Sequence, residues 1–305
     1  MKKNILLTIF IIIFIKNINI IIQTVKTTTI LFFNNIFITL FPFMILSEIL
    51  LYYDYHIFLT NTKLGKQLSK IFNKNKLVTT IFIFSMFSSN PNNAAFIKNL
   101  LDKKQINEKD ATNILCYTYF PSISYTIATI GILTFNNIKI GILLYLNTIL
   151  NNILIAIYLK KEIITQTNET TLNKDTLLNT IKNSTLKSIN NLYVILTTIL
   201  IFTIIINLVK ETLNIKNNLL LLITPILELS TTINIINQIN LNLYLKILIA
   251  SFSLNFSGLS ILFQSFGILS NYKINIKKIL IIKLIFSLIT SIILIPSLHI
   301  ILGFD

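Results

Sequence analysis

Glu48 and Glu228 are the two acidic residues set well inside apolar sequence, and each follows a proline, Pro42 or Pro225, within six residues. A carboxylate in a lipid-facing stretch costs about 2.5–3.5 kcal/mol, so it turns toward a bundle interior or a water-filled path. The chemistry open to such a pair is an acidic lining that receives hydroxyls, amines or a coupling ion. The structural alternative is that each carboxylate bonds the backbone groups freed at its neighbouring proline. A second set of candidates is neutral. Ser88, Ser89, Asn90, Asn92 and Asn93 surround Pro91, and Ser257, Gly258, Ser260 and Gln264 cluster later in the chain. Donors and acceptors without fixed charge suit a polar solute bearing hydroxyl or amide groups, held at helix ends where backbone groups lack intrahelical partners. The same residue types also cross-link packed helices in membranes.

No catalytic constellation accompanies these residues. There is no Gly-rich phosphate loop, no HExxH and no nucleophile elbow, and the two histidines, His56 and His299, lie far apart without a companion ligand. Cys116 is the single cysteine, which excludes an intrachain disulfide and a thiolate cluster and leaves it as a small apolar filler. No metal, no cofactor and no enzymatic activity are expected.

The elements that must position the candidates are helices in a bilayer. The chain has 305 residues, of which 53% are hydrophobic and 12% charged; its mean hydropathy is +0.75, and apolar runs near twenty residues recur along it. That pattern predicts an all-α, polytopic membrane protein. All 26 basic residues are lysines and the net charge is +15, gathered between the apolar runs. Lysines so placed meet anionic lipid on the cytoplasmic side, and without an interleaved aromatic module they do not suggest nucleic acid. The abundance of Ile, Asn, Lys, Phe and Thr reads as a coding bias, so asparagine content alone is weak testimony.

About eight membrane helices are predicted, two of them re-entrant or broken. Asn4–Val25, with Ile5–Ile15 as its most apolar part, lacks a small-x-small cleavage site and reads as a retained first helix. Thr28–Tyr53 is a second span broken by Pro42, ending in the interfacial Tyr52, Tyr53 and Tyr55. His56–Lys76, with Lys63, Lys66, Lys70 and Lys74 between apolar residues, is an amphipathic surface helix. Leu77–Ile97 is the segment with the polar centre. Asn107 opens a helix over Ala111–Tyr119, Pro121 interrupts, and Ser122–Phe135 continues; Ile138–Leu159 follows. Residues 160–187 form a hydrophilic linker between a first half, 1–159, and a second, 188–305. The second half holds Ser188–Val209, Asn218–Ile239, Tyr244–Leu269 and Ile276–Leu302.

Lysines crowd both before and after Leu77–Ile97, which places both its ends on one side and makes it a re-entrant hairpin with Asn90-Pro91-Asn92 near its tip. The same count allows Tyr244–Leu269 that role. Thr39–Glu48 pairs with Ile223–Ser230, each a proline followed by glutamate, and Phe84–Ser89 with Phe252–Gly258, each a serine-rich centre. Two such pairs are the signature of a transporter built from an internal two-fold repeat. Lysine counting taken literally makes the repeats parallel; their orientation stays open here.

Four strings carry a family likeness: Phe41–Glu48, Ser88–Ala94, Glu108–Pro121 with Thr118 before the proline, and Phe256–Ile261 with Gln264. Together they resemble the YlbJ-type sporulation integral membrane proteins of the nucleoside-recognition, or Gate-domain, group, over about Ile5 to Leu302. The chain departs where that group has Ser-Gly-Tyr-Pro-x-Gly, here Ser88 to Asn93, and where it has two glycines, here Ser257-Gly258. The resemblance implies a multi-pass protein of the cell membrane, in the forespore or mother-cell membrane during sporulation, that serves spore cortex assembly by moving a polar solute. The alternative is a membrane scaffold that positions spore-envelope assembly partners without transport. Oligomeric state is not legible.

Overall fold

The computed structural model describes Thr8 and residues 11–53, 55–72, 75–160 and 176–302. Helices make up most of its described residues, among which there is no strand.

The first rod, α1, comprises Ile18–Leu31, a π-helical stretch Phe32–Phe37, and Ile38–Tyr52. The sequence suggested two spans parted near Lys26; the helix instead runs straight through. Lys26 sits on its exposed face, while Thr24 and Thr28 are buried and Thr24 Oγ1 accepts from Asn207 Nδ2 at 2.9 Å. A lysine that reaches outward from a helix does not require a loop. Pro42 does not break the rod either, which continues to Tyr52 with the proline inside it. Of the expected apolar segment Ile5–Ile15, Thr8 and residues 11–15 are helical and the rest lies outside the described residues.

Two short helices, α2 (Tyr55–Asn61) and α3 (Lys63–Ile71), replace the single amphipathic helix. The Thr62 hydroxyl caps the second through Gly65 N at 3.2 Å. A Cβ at Gly65 would lie 2.3 Å from the Leu59 carbonyl oxygen, so only glycine fits the close junction.

Helix α4 (Lys76–Ser88) then descends to Ser89-Asn90-Pro91 and α5 (Asn92–Asp102) returns. The rings of Phe84 and Phe96 stack with centroids 4.3 Å apart, a contact that a continuing helix could not make, since twelve residues would separate them by about 18 Å along its axis. The predicted hairpin is therefore present in the geometry. Asn107 Oδ1 accepts from Asp110 N at 2.8 Å to open α6 (Glu108–Cys116). Residues 117–122 lie outside regular helix, and the π-helical α7 (Tyr125–Thr134) leads into α8 (Ile138–Leu159). Gly131 and Gly141 let α7 and α8 touch, since a Cβ on Gly131 would stand 2.8 Å from the Gly141 Cα.

Helix α9 (Leu177–Thr212) begins inside the expected linker. Its buried side there is Thr180, Ser184 and Ser188 at intervals of four, a packing face of small hydroxylated residues that a hydropathy window reads as solvent-loving. Next come α10 (Asn217–Leu220), α11 (Thr224–Leu227) and α12 (Leu229–Gln238), then α13 (Leu243–Phe256), α14 (Gly258–Ile268) and α15 (Ile276–Leu302).

Long-range bonds show which ends lie together. Tyr272 gives its hydroxyl to Asp102, Lys273 N donates to Glu108 at 2.9 Å, Lys160 Nζ donates to the Lys70 carbonyl at 3.2 Å, and Tyr158 packs on Phe286. One end of the bundle thus gathers the end of α3, both ends of the α4–α5 hairpin, the end of α8 and the start of α15. Thr24 with Asn207 and Glu48 with Lys187 set α1 antiparallel to α9. Ser251 with Ser291, and Asn255 with Lys283, do the same for α13 and α15. The segment α10–α12 therefore enters and leaves at the opposite end. Tyr244–Leu269, which lysine counting allowed to be re-entrant, is instead one broken rod whose two halves do not fold back.

Among the described residues, five helices are long and apolar enough to cross a membrane: Ile18–Leu50, Ile138–Leu159, Leu178–Thr212, Leu243–Ile268 and Ile276–Leu298. These make the chain a plausible multi-pass integral membrane protein by length and composition. Lys76–Ser88 and Tyr125–Thr134 are apolar but shorter.

Candidate functional site

Four interruptions of helix meet in the middle of the bundle. The first is the hairpin tip. Ser89 takes a positive φ of 55°, Asn90 N donates to the Phe120 carbonyl at 3.3 Å, and Asn93 Nδ2 donates to the Thr118 carbonyl at 3.0 Å. Those two carbonyls belong to the second interruption, residues 117–122, which Asn152 of α8 also holds through the Tyr119 carbonyl at 2.9 Å. The third lies at Glu228, where α11 stops in extended backbone. The buried carboxylate accepts from Ser230 N at 3.0 Å and from Thr231 N, capping α12 with both oxygens. The fourth is Ser257-Gly258, with φ of 76° and 67°. A Cβ on Gly258 would meet the Leu227 carbonyl oxygen and Leu229 N at 3.4 Å, so the third and fourth interruptions lie directly against each other.

A cleft of about 540 Å³, open space at its mouth included, lies among all four. Ser89 and Asn90 come from the first interruption, Phe120, Pro121 and Ser122 from the second, Glu228 and Ser230 from the third, and Ser260 and Gln264 from the helix after the fourth. Tyr125 of α7 reaches Ser230 Oγ at 3.4 Å, and Ile195 and Ile199 of α9 complete an apolar wall. The mixture of an apolar wall and a few polar groups is that of a small-molecule site. A second cleft of about 390 Å³ shares Ser89 and Ser122 with the first and runs beside α1 along Phe43, Leu46 and Leu50.

The sequence candidates divide. Ser89, Asn90, Glu228, Ser260 and Gln264 line the cleft. Ser88, Asn92, Ser257 and Gly258 are buried and shape the interruptions without being among the lining residues; Asn92 Nδ2 bonds the Ser88 carbonyl at 3.1 Å and its Oδ1 accepts from Asn191. Glu48 stands apart, at the crossing of α1 and α9, with its Oε2 2.6 Å from Lys187 Nζ. Pro91, Pro121 and Pro225 mark interruptions, whereas Pro42 does not.

The polar capacity of the cleft is uneven. Glu228 has committed its oxygens to backbone, while Asn90 keeps both amide atoms, Oδ1 and Nδ2, buried and without a hydrogen-bond partner. An unmet polar atom of this kind costs about 1–3 kcal/mol, and a ligand that donates to one atom and accepts from the other removes that cost. The described residues hold no group of three or more metal-ligating side chains.

Sequence reasoning passed over two features. Asn147, Asn151 and Asn152 are buried on α8, bonded to Ser251, Thr290 and the Tyr119 carbonyl at 2.8, 3.2 and 2.9 Å; the four-residue spacing of Asn147 and Asn151 was the signal. Lys283 is fully buried in α15; its position inside the last apolar run was visible in the sequence.

No family model matches the chain, and no curated protein or solved structure matches it.

Proposed function

We propose that the protein is a membrane carrier for a small, uncharged solute rich in hydroxyl or amide groups, binding it in the cleft between the four interruptions. The observation that carries this reading is the convergence of those interruptions on a cleft lined by Asn90, a neutral side chain whose buried amide atoms are unpaired. Irregular backbone at membrane depth persists where it is buried or lines a cavity, and carriers with broken helices bind near the bilayer midplane. On this reading six crossings and two re-entrant hairpins make eight membrane elements. They form an inverted two-fold repeat: α1, α4–α5, α6–α7 and α8 against α9, α10–α12, α13–α14 and α15. The opposite openings of the two hairpins support inversion over the parallel arrangement. The end bearing Lys70, Lys104 and Lys273 faces the cytoplasm, as lysine bias requires. The likeness of the four strings to YlbJ-type proteins supports a role in endospore formation, in the membrane that serves the cortex.

Uptake by proteoliposomes tests it, with nucleosides, neutral amino sugars and dicarboxylates offered in parallel. A neutral solute accumulates with wild-type protein and not with Asn90→Leu. Uptake confined to dicarboxylates, or uptake that survives Asn90→Leu unchanged, defeats the proposed site.

A further inference from the structure

We infer that Lys283 is a proton-binding site that controls opening of the cleft, its ammonium acting as a charged strap between the two halves of the molecule. The inference rests on the carrier reading for its purpose, though its geometry stands separately.

Lys283 lies about two turns into α15 and has no exposed surface. Its Nζ donates to the Asn255 carbonyl at 2.9 Å, in the last turn of α13, where the left-handed Ser257 ends the helix and carbonyls face away from intrahelical amides. That helix end carries partial negative charge. On the other side the ammonium stands 4.6 Å from the centre of the Tyr119 ring, a cation–π distance. Tyr119 adjoins the cleft residue Phe120, and Asn255 lies just ahead of Ser257-Gly258. The strap therefore ties an interruption of the first half to an interruption of the second.

Among the described residues the ion pair is Glu48 with Lys187, so no carboxylate neutralises Lys283. An unpaired cation at such depth is costly, and ionisable groups kept there mark proton or ion pathways. Both contacts that hold it depend on its charge. A ring face attracts the cation alone, and a charge-assisted hydrogen bond is about twice as strong as a neutral one. When the ammonium gives its proton to water entering from the cleft, it becomes a neutral amine and the tie slackens; a proton returning from the other side restores it.

The surrounding titratable groups leave Lys283 as the candidate. From α6, Cys116 gives its thiol to the Thr112 carbonyl at 3.3 Å, while Glu108 accepts from Lys273 N and Asp110 from Asn107 Nδ2 at the far end of that helix. Tyr117 packs against Phe72 and Phe82. From α8, Tyr145 donates to the Met86 carbonyl at 2.9 Å and Tyr158 packs on Phe286. Tyr244 and Lys246 lie at the other end of α13.

The test uses full-length protein in liposomes with Ile195→Cys as a reporter in the cleft, in a Cys116→Ser background. Its maleimide labelling rate is divided by that of an exposed Ser270→Cys reference, from about pH 5 to about pH 9, the range in which buried lysines titrate. The wild-type ratio changes by about fivefold or more, the lower bound for coupled sites. Lys283→Arg, charged at every pH, holds the acid value throughout, and Lys283→Met holds the alkaline value. A flat wild-type profile, or a wild-type profile retained in Lys283→Arg, overturns the inference; the arginine variant decides alone if the methionine variant does not insert. Should the profile behave as expected while no solute is taken up, the carrier reading falls and the proton-controlled cleft stands. Uptake with a flat profile gives the reverse.

Discussion

The two hairpin tips reach the cleft by different means. The α4–α5 tip is neutral: Ser89, Asn90 and Pro91 turn the chain, the Asn90 backbone is tied to Phe120, and its side-chain amide is unpaired. The α10–α12 tip is acidic, and Glu228 spends its charge on Ser230 N and Thr231 N. Charge is thus used to build the second tip, and the unpaired amide atoms lie in the first. A carboxylate inside an apolar segment is not automatically a ligand; where a helix must start at that depth, its amides are the nearest claimants.

Substitutions at the tips probe that division. Glu228→Ala leaves two buried amides without acceptors and costs about 2 kcal/mol or more, read as a fall in the unfolding temperature in detergent; if Glu228→Ala melts with wild type, the carboxylate does not build the tip. Gly258→Val forces a β-branched residue into the left-handed region against the Glu228 backbone, for about 1–2 kcal/mol; an unchanged melting curve would show that the third and fourth interruptions are not held together. Asn90→Leu removes two unmet polar atoms, so its melting temperature equals or exceeds that of wild type while solute binding, measured by calorimetry, is lost. A destabilised Asn90→Leu would make the two tips alike and erase the contrast. Smallest is Glu48→Gln, about 1 kcal/mol or less, because its partner Lys187 is half exposed; a large loss of uptake with normal stability would return Glu48 to the site.

What was legible followed the apolar runs. Ile138–Leu159 and Ile276–Leu302 emerged with their observed ends, and Asn107 announced its helix because a cap is a local device. The hairpin was legible from lysines on both its flanks, a constraint imposed by the bilayer on the whole chain. Other features depended on packing. Lys26 looked like a boundary because hydropathy does not know which way a side chain points. Thr180, Ser184 and Ser188 looked like linker because their burial depends on a neighbouring helix. Half of the ten site candidates line the cleft, since serine and asparagine serve equally as lining and as glue. Lys283 and the α8 asparagines were passed over because a biased composition hides single polar residues.

The bonds joining Asp102 to Tyr272, Glu108 to Lys273 and Asn113 to Lys278 span more sequence than either half contains. The first hairpin leaves the ribosome long before its partners exist. Until the loop after α14 is made, its polar rim has water for company. Assembly therefore waits on the last third of the chain, so a truncation ahead of Tyr272 would harm a hairpin that it never touches in sequence.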